Sequence, residues 1–142
     1  GWVGGVVLVD DYAHLPTEVA ATVEASRAGG FGRIVSVFQP HRYSRTEALW
    51  SSFGGVFDGS DVLFVTDVYP AGEAPRPGVS GRLIVDAVLR DRPGSDVRYV
   101  ERRDDLLDAL VGELREGDLC LTMGAGDLTS VPDDLRQRLL DS

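Results

Sequence analysis

The sequence predicts an α/β fold: an open, mostly parallel, doubly wound sheet of about six strands, with helices on both faces. Three observations lead there. Short apolar runs bounded by turn residues alternate with stretches of helical period, in the order βαβαβαβαβα. Parallel strands joined through helices are the right-handed crossover solution to that order. Polar residues beyond what turns need gather after the strands, at the edge where open α/β sheets take ligands.

In order, Trp2-Val3 before Gly4-Gly5 is a candidate extra strand, the one that could run antiparallel. Val6 to Asp11 is the first main strand, and Pro16 opens a helix to Ala28 that Gly29-Gly30 ends. Arg33 to Gln39 is the next strand, stopped by Pro40. Ser44-x-x-Glu47 reads as a capping box for a helix carrying the stripe Leu49, Phe53, Val56 and Phe57. Val62 to Val68 is a strand, and Tyr69 to Val79, with three prolines and two glycines, is an irregular loop. Ser80 can cap a helix through Leu83, Ile84, Ala87 and Val88. Val97 to Val100 is a strand, Asp104 to Leu114 a helix, Leu119 to Met123 the last strand, and Pro132 to Leu140 the last helix. Gly124-Ala125-Gly126 between them is a tight turn. No repeat, low-complexity tract or linker interrupts the pattern, so 142 residues form one domain.

Composition narrows the function. Fourteen basic against twenty-three acidic residues give a net charge of −9, which argues against nucleic acid or an anionic membrane as partner. Every base is arginine, and without lysine this chain has neither lysine catalysis nor a P-loop. The lone cysteine, Cys120, lies in an apolar run and reads as a buried thiol. Neither a signal peptide nor an apolar run of transmembrane length is present, so a cytoplasmic location is expected. The chain starts at Gly1 without Met, as a piece of something longer would.

The strand ends supply the chemistry. The first delivers Asp10, Asp11, Tyr12 and His14; the second Gln39, His41, Arg42, Tyr43 and Arg45; the third Thr66, Asp67 and Tyr69; the last Gly124, Gly126 and Asp127. Each has a plain structural reading: turn hydrogen bonds for the aspartates, a structural hydrogen bond for His14, a local glutamate for either arginine. Their meeting at one edge, with both histidines of the chain among them, favours a site. Two guanidiniums and an imidazole just before a helix N-terminus suit phosphate or carboxylate. The carboxylates across the edge suit a ribose, a cation or an amine. No metal site is assigned.

Two resemblances follow. Val-Leu-Val-Asp-Asp at 7–11 and Val-Thr-Asp-Val-Tyr-Pro-Ala-Gly at 65–72 are similar to the acidic motifs of response-regulator receiver domains. A receiver needs a lysine after its fifth strand, where Met123-Gly124-Ala125 stands. The second covers essentially the whole chain. Asp-Asp-Tyr-Ala-His-x-Pro-Thr-Glu (10–18), Gln-Pro-His-Arg-Tyr-Ser-Arg-Thr (39–46), Thr-Asp-Val-Tyr-Pro-Ala-Gly-Glu (66–73) and Gly-Ala-Gly-Asp (124–127) together closely resemble the C-terminal domain of the Mur ligases. The first stretch is shared across the superfamily. The second and third are particular to its alanine-adding branch.

That resemblance implies a Rossmann-like domain, residues 1–142, that binds the amino acid and closes the site, with N-terminal UDP-sugar and central ATPase domains outside this chain. It implies ATP and Mg2+ as cofactors, the metal held mainly by the central domain. It implies L-alanine and UDP-N-acetylmuramate as substrates, joined through an acyl phosphate in peptidoglycan precursor synthesis. Carried onto this sequence, Arg42, His14 and His41 become catalytic candidates. Arg45, Tyr12 and Tyr69 become the L-alanine set, and Asp11, His14 and Arg42 the ATP set. Leu15 departs from the pattern: the alanine-adding ligases usually have a second histidine there, and a leucine can neither cap the helix nor bond the nucleotide. A free-standing anion- or nucleotide-binding module and a degenerate, non-catalytic relative are the other readings of the same residues. The isolated domain is not expected to be an active ligase.

Overall fold

The computed structural model describes residues 2–141. Its elements are β1 (Trp2–Val3), β2 (Val6–Asp11), α1 (Pro16–Arg27), β3 (Arg33–Phe38), α2 (Tyr43–Leu49), β4 (Val62–Val65), α3 (Arg82–Asp91), β5 (Val97–Tyr99), α4 (Arg103–Glu113), β6 (Asp118–Met123) and α5 (Val131–Asp141). Single 3-10 turns at Trp50–Phe53 and Asp127–Ser130 follow α2 and precede α5. One six-stranded sheet has the order β1-β2-β6-β3-β4-β5. Five strands are parallel, and β1 pairs antiparallel with the start of β2, Val3 opposite Val6.

Side chains alternate across the central strands, so each face has its own core. Ile34 and Phe38 of β3 and Leu119, Leu121 and Met123 of β6 face α1 and α3, meeting Val19, Val23 and Ile84. Val35, Val37 and Cys120 face α4 and α5, meeting Leu106, Leu110 and Leu135. The fully buried Phe38 ring packs against Phe53 and Phe57 at 5.1 and 5.4 Å. Each such side chain contributes about 1.5–3 kcal/mol when removed from water.

Three local expectations are corrected. The stripe Leu49–Phe57 is not one helix: α2 ends at Leu49 and the chain tightens through the 3-10 turn, which still points Phe53 and Phe57 inward. The Ser44–Glu47 capping box does not form. Ser44 lies inside the first turn of α2, Arg42 is the N-cap, and Glu47 pairs instead with Arg76 at 2.9 Å. The third parallel strand, β4, is also shorter than expected, ending at Val65.

At the amino edge a charge network locks β3 to β6. Arg33 donates to both carboxylate oxygens of Asp118 (3.1 and 2.8 Å), to Glu113 Oε2 (2.7 Å) and to the Glu113 carbonyl (2.9 Å). Arg98 closes the network on Glu113 at 2.8 Å. The opposite, carboxyl edge is left for the loops.

Candidate functional site

At the end of β2, several polar side chains are consumed by structure. Asp10 Oδ1 accepts from Thr122 Oγ1 (2.8 Å) and Asp11 Oδ1 from the Ala13 N–H (2.8 Å). Glu18 Oε1 accepts from the N–H groups of His14 (3.2 Å) and Leu15 (3.1 Å). These two N–H groups hold the Glu18 carboxyl below its usual range. Glu18 thereby supplies from within the first turn part of what Leu15, the N-cap of α1, cannot. His14 Nδ1 lies 2.9 Å from the Tyr12 carbonyl. A carbonyl only accepts, so Nδ1 is the donor in that contact. Tyr12 is 69% exposed.

Gln39 and Asp127, expected at the edge, are fastened to each other. Gln39 Nε2 donates to Asp127 Oδ1 at 2.6 Å, and Gln39 Oε1 accepts from the Leu128 N–H at 3.3 Å, tying β3 to the turn after β6. Asp67 is likewise structural, accepting from the N–H groups of Val68 (2.8 Å) and Gly81 (3.2 Å).

What remains is a cluster at the β3–α2 junction. His41 forms an isolated parallel bridge with Tyr69, and their rings stack at 5.6 Å and 21°. The His14 ring lies 5.5 Å from that of His41. His14, His41 and Arg45 line one small cleft with Pro40, Thr46 and Phe53. His41 Nδ1 is buried without a hydrogen-bond partner among the described residues. Burial, then the nearby His14, Arg45 and Arg42, lower the His41 pKa against the pull of Glu73, so the ring is neutral at neutral pH.

Arg42 has φ 69° and ψ 140°, a region L side chains rarely adopt. Such a backbone costs about 1–3 kcal/mol and persists only where neighbours over-determine it. They do: the Arg42 N–H donates to the Tyr69 carbonyl (2.8 Å), and its carbonyl accepts from Thr46 N–H (3.1 Å) and Thr46 Oγ1 (2.8 Å). Neither Arg42 nor Arg45 has an ion pair or a side-chain hydrogen bond among the described residues. Two guanidiniums at one edge without carboxylate partners favour anions from outside.

The start of α2 is corrected as an anion site. Glu73, from the loop after Tyr69, accepts from Ser44 N–H (3.0 Å) and Ser44 Oγ. The protein's own carboxylate fills that position, and the Ser44 hydroxyl and N–H hold Glu73 below the usual carboxylate range. Sequence spacing singled out Ser44 and Glu47 instead. Glu73 carried a signal only as the end of the Tyr-Pro-Ala-Gly-Glu stretch.

The structure therefore brings His14, His41, Arg45 and Tyr69 together, with Arg42 beside them. Asp11 is set apart: it lines a shallow groove between β2 and α1 with Val9, Thr22 and Leu121. Gly126 approaches Tyr69 so closely that a Cβ there would stand 2.4 Å from the Tyr69 Cγ. Among the described residues no group of three or more His, Cys, Asp or Glu could hold a metal ion, and no helix is long and apolar enough to cross a membrane.

An open, doubly wound sheet whose carboxyl edge carries two guanidiniums without an ion pair among the described residues defines a Rossmann-like α/β domain. Comparison with known proteins specifies which. The family model described as Mur ligase, glutamate ligase domain, matches residues 1–126, and the chain belongs to the Mur ligase family as its C-terminal domain. It is 48% identical over 139 residues to the UDP-N-acetylmuramate–L-alanine ligase of Desulforamulus reducens, covering 98% of this chain and 30% of the relative. It is 51% identical over 135 residues to that of Myxococcus xanthus, covering 95% and 28%. This chain thus spans under a third of the length of these curated relatives. Among solved structures, a domain of a putative UDP-N-acetylmuramate:L-alanyl-γ-D-glutamyl-meso-diaminopimelate ligase from Haemophilus ducreyi aligns with TM-score 0.68 at 26% identity, covering 98% of this chain and 95% of that one. A murein peptide ligase from Psychrobacter arcticus aligns with TM-score 0.79 at 17% identity, covering 98% and 28%, which extends the likeness in fold.

Proposed function

We propose that this chain is the amino-acid-binding, site-closing domain of an ATP-dependent UDP-N-acetylmuramate–L-alanine ligase, acting in the cytoplasm with its own UDP-sugar and ATPase domains. The names of the relatives at 45–51% identity support that activity. The observation that carries the site is the pair of guanidiniums, Arg42 and Arg45, without an ion pair among the described residues and close to two imidazoles whose centroids are 5.5 Å apart.

ATP supplies the phosphoryl group that activates the muramoyl carboxylate as an acyl phosphate. In this reading Arg42 meets the phosphate, where charge moves during transfer and a fixed guanidinium stabilises it. Its clamped backbone suits that task, because a preorganised donor needs no rearrangement. Arg45 takes the alanine carboxylate as a fork. His41, its pKa lowered by burial and the neighbouring positive charges, adds no further cation beside the two arginines at neutral pH. His14 presents Nε2 where nucleotide and amino acid meet. Tyr69 walls the pocket around a small side chain, exposed Tyr12 reaches toward the amino acid, and Asp11 reaches the ribose. Holding the amine beside the acyl phosphate is itself a large part of catalysis. Among the described residues no group of three or more His, Cys, Asp or Glu could hold a metal ion, and in this reading Mg2+ is bound mainly by the central domain.

The test is Arg45→Ala in the full-length ligase, assayed by alanine-dependent phosphate release. A charged hydrogen-bonded pair contributes about 1.5–3 kcal/mol, so the KM for L-alanine rises about 10- to 100-fold while that for UDP-N-acetylmuramate stays near wild type. An unchanged alanine KM removes Arg45 from the amino-acid site.

A further inference from the structure

Glu73 stands outside the proposed ligand-binding set, yet it is bonded to the helix start that carries two of its members. The turn Pro70–Glu73 reverses the chain through Ala71 (φ 50°) and Gly72 (φ 88°), closed by Glu73 N–H to the Pro70 carbonyl at 3.1 Å. That reversal returns the Glu73 carboxylate to the first turn of α2, where it accepts from Ser44 N–H and Ser44 Oγ. The N-cap residue itself, Arg42, makes no side-chain cap bond. The same loop grips the Arg42 backbone through the Tyr69 carbonyl, and its underside packs Val68 and Val79 against Tyr43. Arg42 and Arg45 therefore take their positions from a helix start that is capped across 29 residues of sequence by one carboxylate.

We propose that Glu73 is a positioning residue for the two ligand-binding arginines. By capping α2 from the loop, its carboxylate keeps Arg42 in its left-handed conformation and Arg45 one turn behind it, at the edge where anionic ligands arrive. The inference rests on the reading of Arg45 as the alanine-carboxylate residue.

The experiment uses the full-length ligase and alanine-dependent phosphate release, comparing Glu73→Ala, Glu73→Gln, Arg45→Ala and the E73A/R45A double variant. A role confined to folding would lower the active fraction and hence kcat for every substrate, with each KM unchanged. Positioning gives a different result. E73A raises the alanine KM about tenfold or more, since misplacement by about an ångström is costly, and leaves the UDP-N-acetylmuramate KM within about twofold. E73Q, which keeps an acceptor for the Ser44 N–H, falls between. On the R45A background E73A adds little to the alanine KM, because the two changes remove the same interaction. If R45A raises the alanine KM while E73A and E73Q leave it within about twofold, Glu73 is structural only and the proposal is overturned with the site reading intact. If R45A leaves the alanine KM unchanged, the site reading falls and this inference with it. Should E73A not yield folded protein, E73Q carries the same comparison.

Discussion

Gly126→Ala should damage both the fold and the site, and the structure sets the scale. Gly126 has φ −99°, so alanine meets no left-handed penalty there. The cost is contact. The new methyl would stand 2.4 Å from Tyr69 Cγ and 2.7 Å from both Cδ atoms, where ordinary contact begins at 3.4 Å. The ring must retreat by about an ångström. Its Cγ cannot do so by bending a flexible tip, because the Tyr69 backbone is pinned on both sides: its N–H donates to the Pro40 carbonyl (2.9 Å) and its carbonyl accepts from Arg42 (2.8 Å). His41 is stacked on the ring, so a shift of Tyr69 also reaches the histidine. Overpacking of this kind costs about 1–3 kcal/mol. In a domain near 150 residues each kcal/mol is worth about 2–4 °C, so Tm falls by about 2–12 °C. Urea denaturation followed by tryptophan fluorescence and thermal scans reads the stability. If Tyr69 walls the alanine pocket as proposed, kcat/KM for L-alanine in the full-length ligase should drop about 10- to 100-fold. The double variant Gly126→Ala/Tyr69→Ala, with the ring gone, should be less destabilised than the two single changes added together. A G126A protein with wild-type Tm and alanine kinetics would refute the reasoning, since the close approach would then carry no energy.

The amino edge should respond to charge instead. Arg33→Met leaves Asp118, 2% exposed, buried without its guanidinium, at a cost of about 3–5 kcal/mol in urea unfolding. Arg33→Met/Asp118→Leu should recover much of that, because no charge is then buried unpaired. In the wild type, burial pushes the Asp118 carboxyl up, but Arg33 and the Arg115 N–H more than offset it, and Glu113 is held low by Arg33 and Arg98. Both folded values lie below the ordinary 3.8 and 4.5, so their stabilisation is complete above those pH values and is lost as pH falls through the folded ones. Acid titration of stability should show that loss below about pH 4.5 in the wild type and a smaller one in the double variant. Cys120 is fully buried with its thiol pushed up to about 12, so a thiol reagent should label it only as fast as the protein opens.

Much of this architecture could be read along the chain because it depends on local pattern. Strands such as Val35–Phe38 and Leu119–Met123 are buried on both faces, and that leaves near-continuous apolar runs, broken only by Ser36 and Thr122 and bounded by turn residues. Helices such as α3 place Ile84, Ala87 and Val88 at helical spacing for the same reason. The carboxyl edge followed from topology, since parallel strands all end on one side, and with it the candidate set His14, His41, Arg42, Arg45 and Tyr69. The motif stretches carried the family.

What spacing could not settle were choices among partners distant in sequence. Ser44 and Glu47 have capping-box spacing, yet the cap on α2 is Glu73, which competes through a loop whose path depends on Ala71 and Gly72 adopting positive φ. Gln39 and Asp127 look like site residues until the sheet order sets β3 beside β6 and lets them bond each other. Asp67 likewise spends its carboxylate on Gly81, fourteen residues away. Arg42 and Arg45 are the converse case: in sequence each could have paired with a nearby glutamate, and only the packed structure leaves both guanidiniums without an ion pair among the described residues. Gly126 is a glycine because of Tyr69, a residue it meets only after the sheet is assembled. Sequence pattern is sufficient where a residue answers to its neighbours in the chain or to the average environment of a sheet face. Tertiary structure decides which of several equally suitable polar groups satisfy one another, and so which are left to act on a ligand.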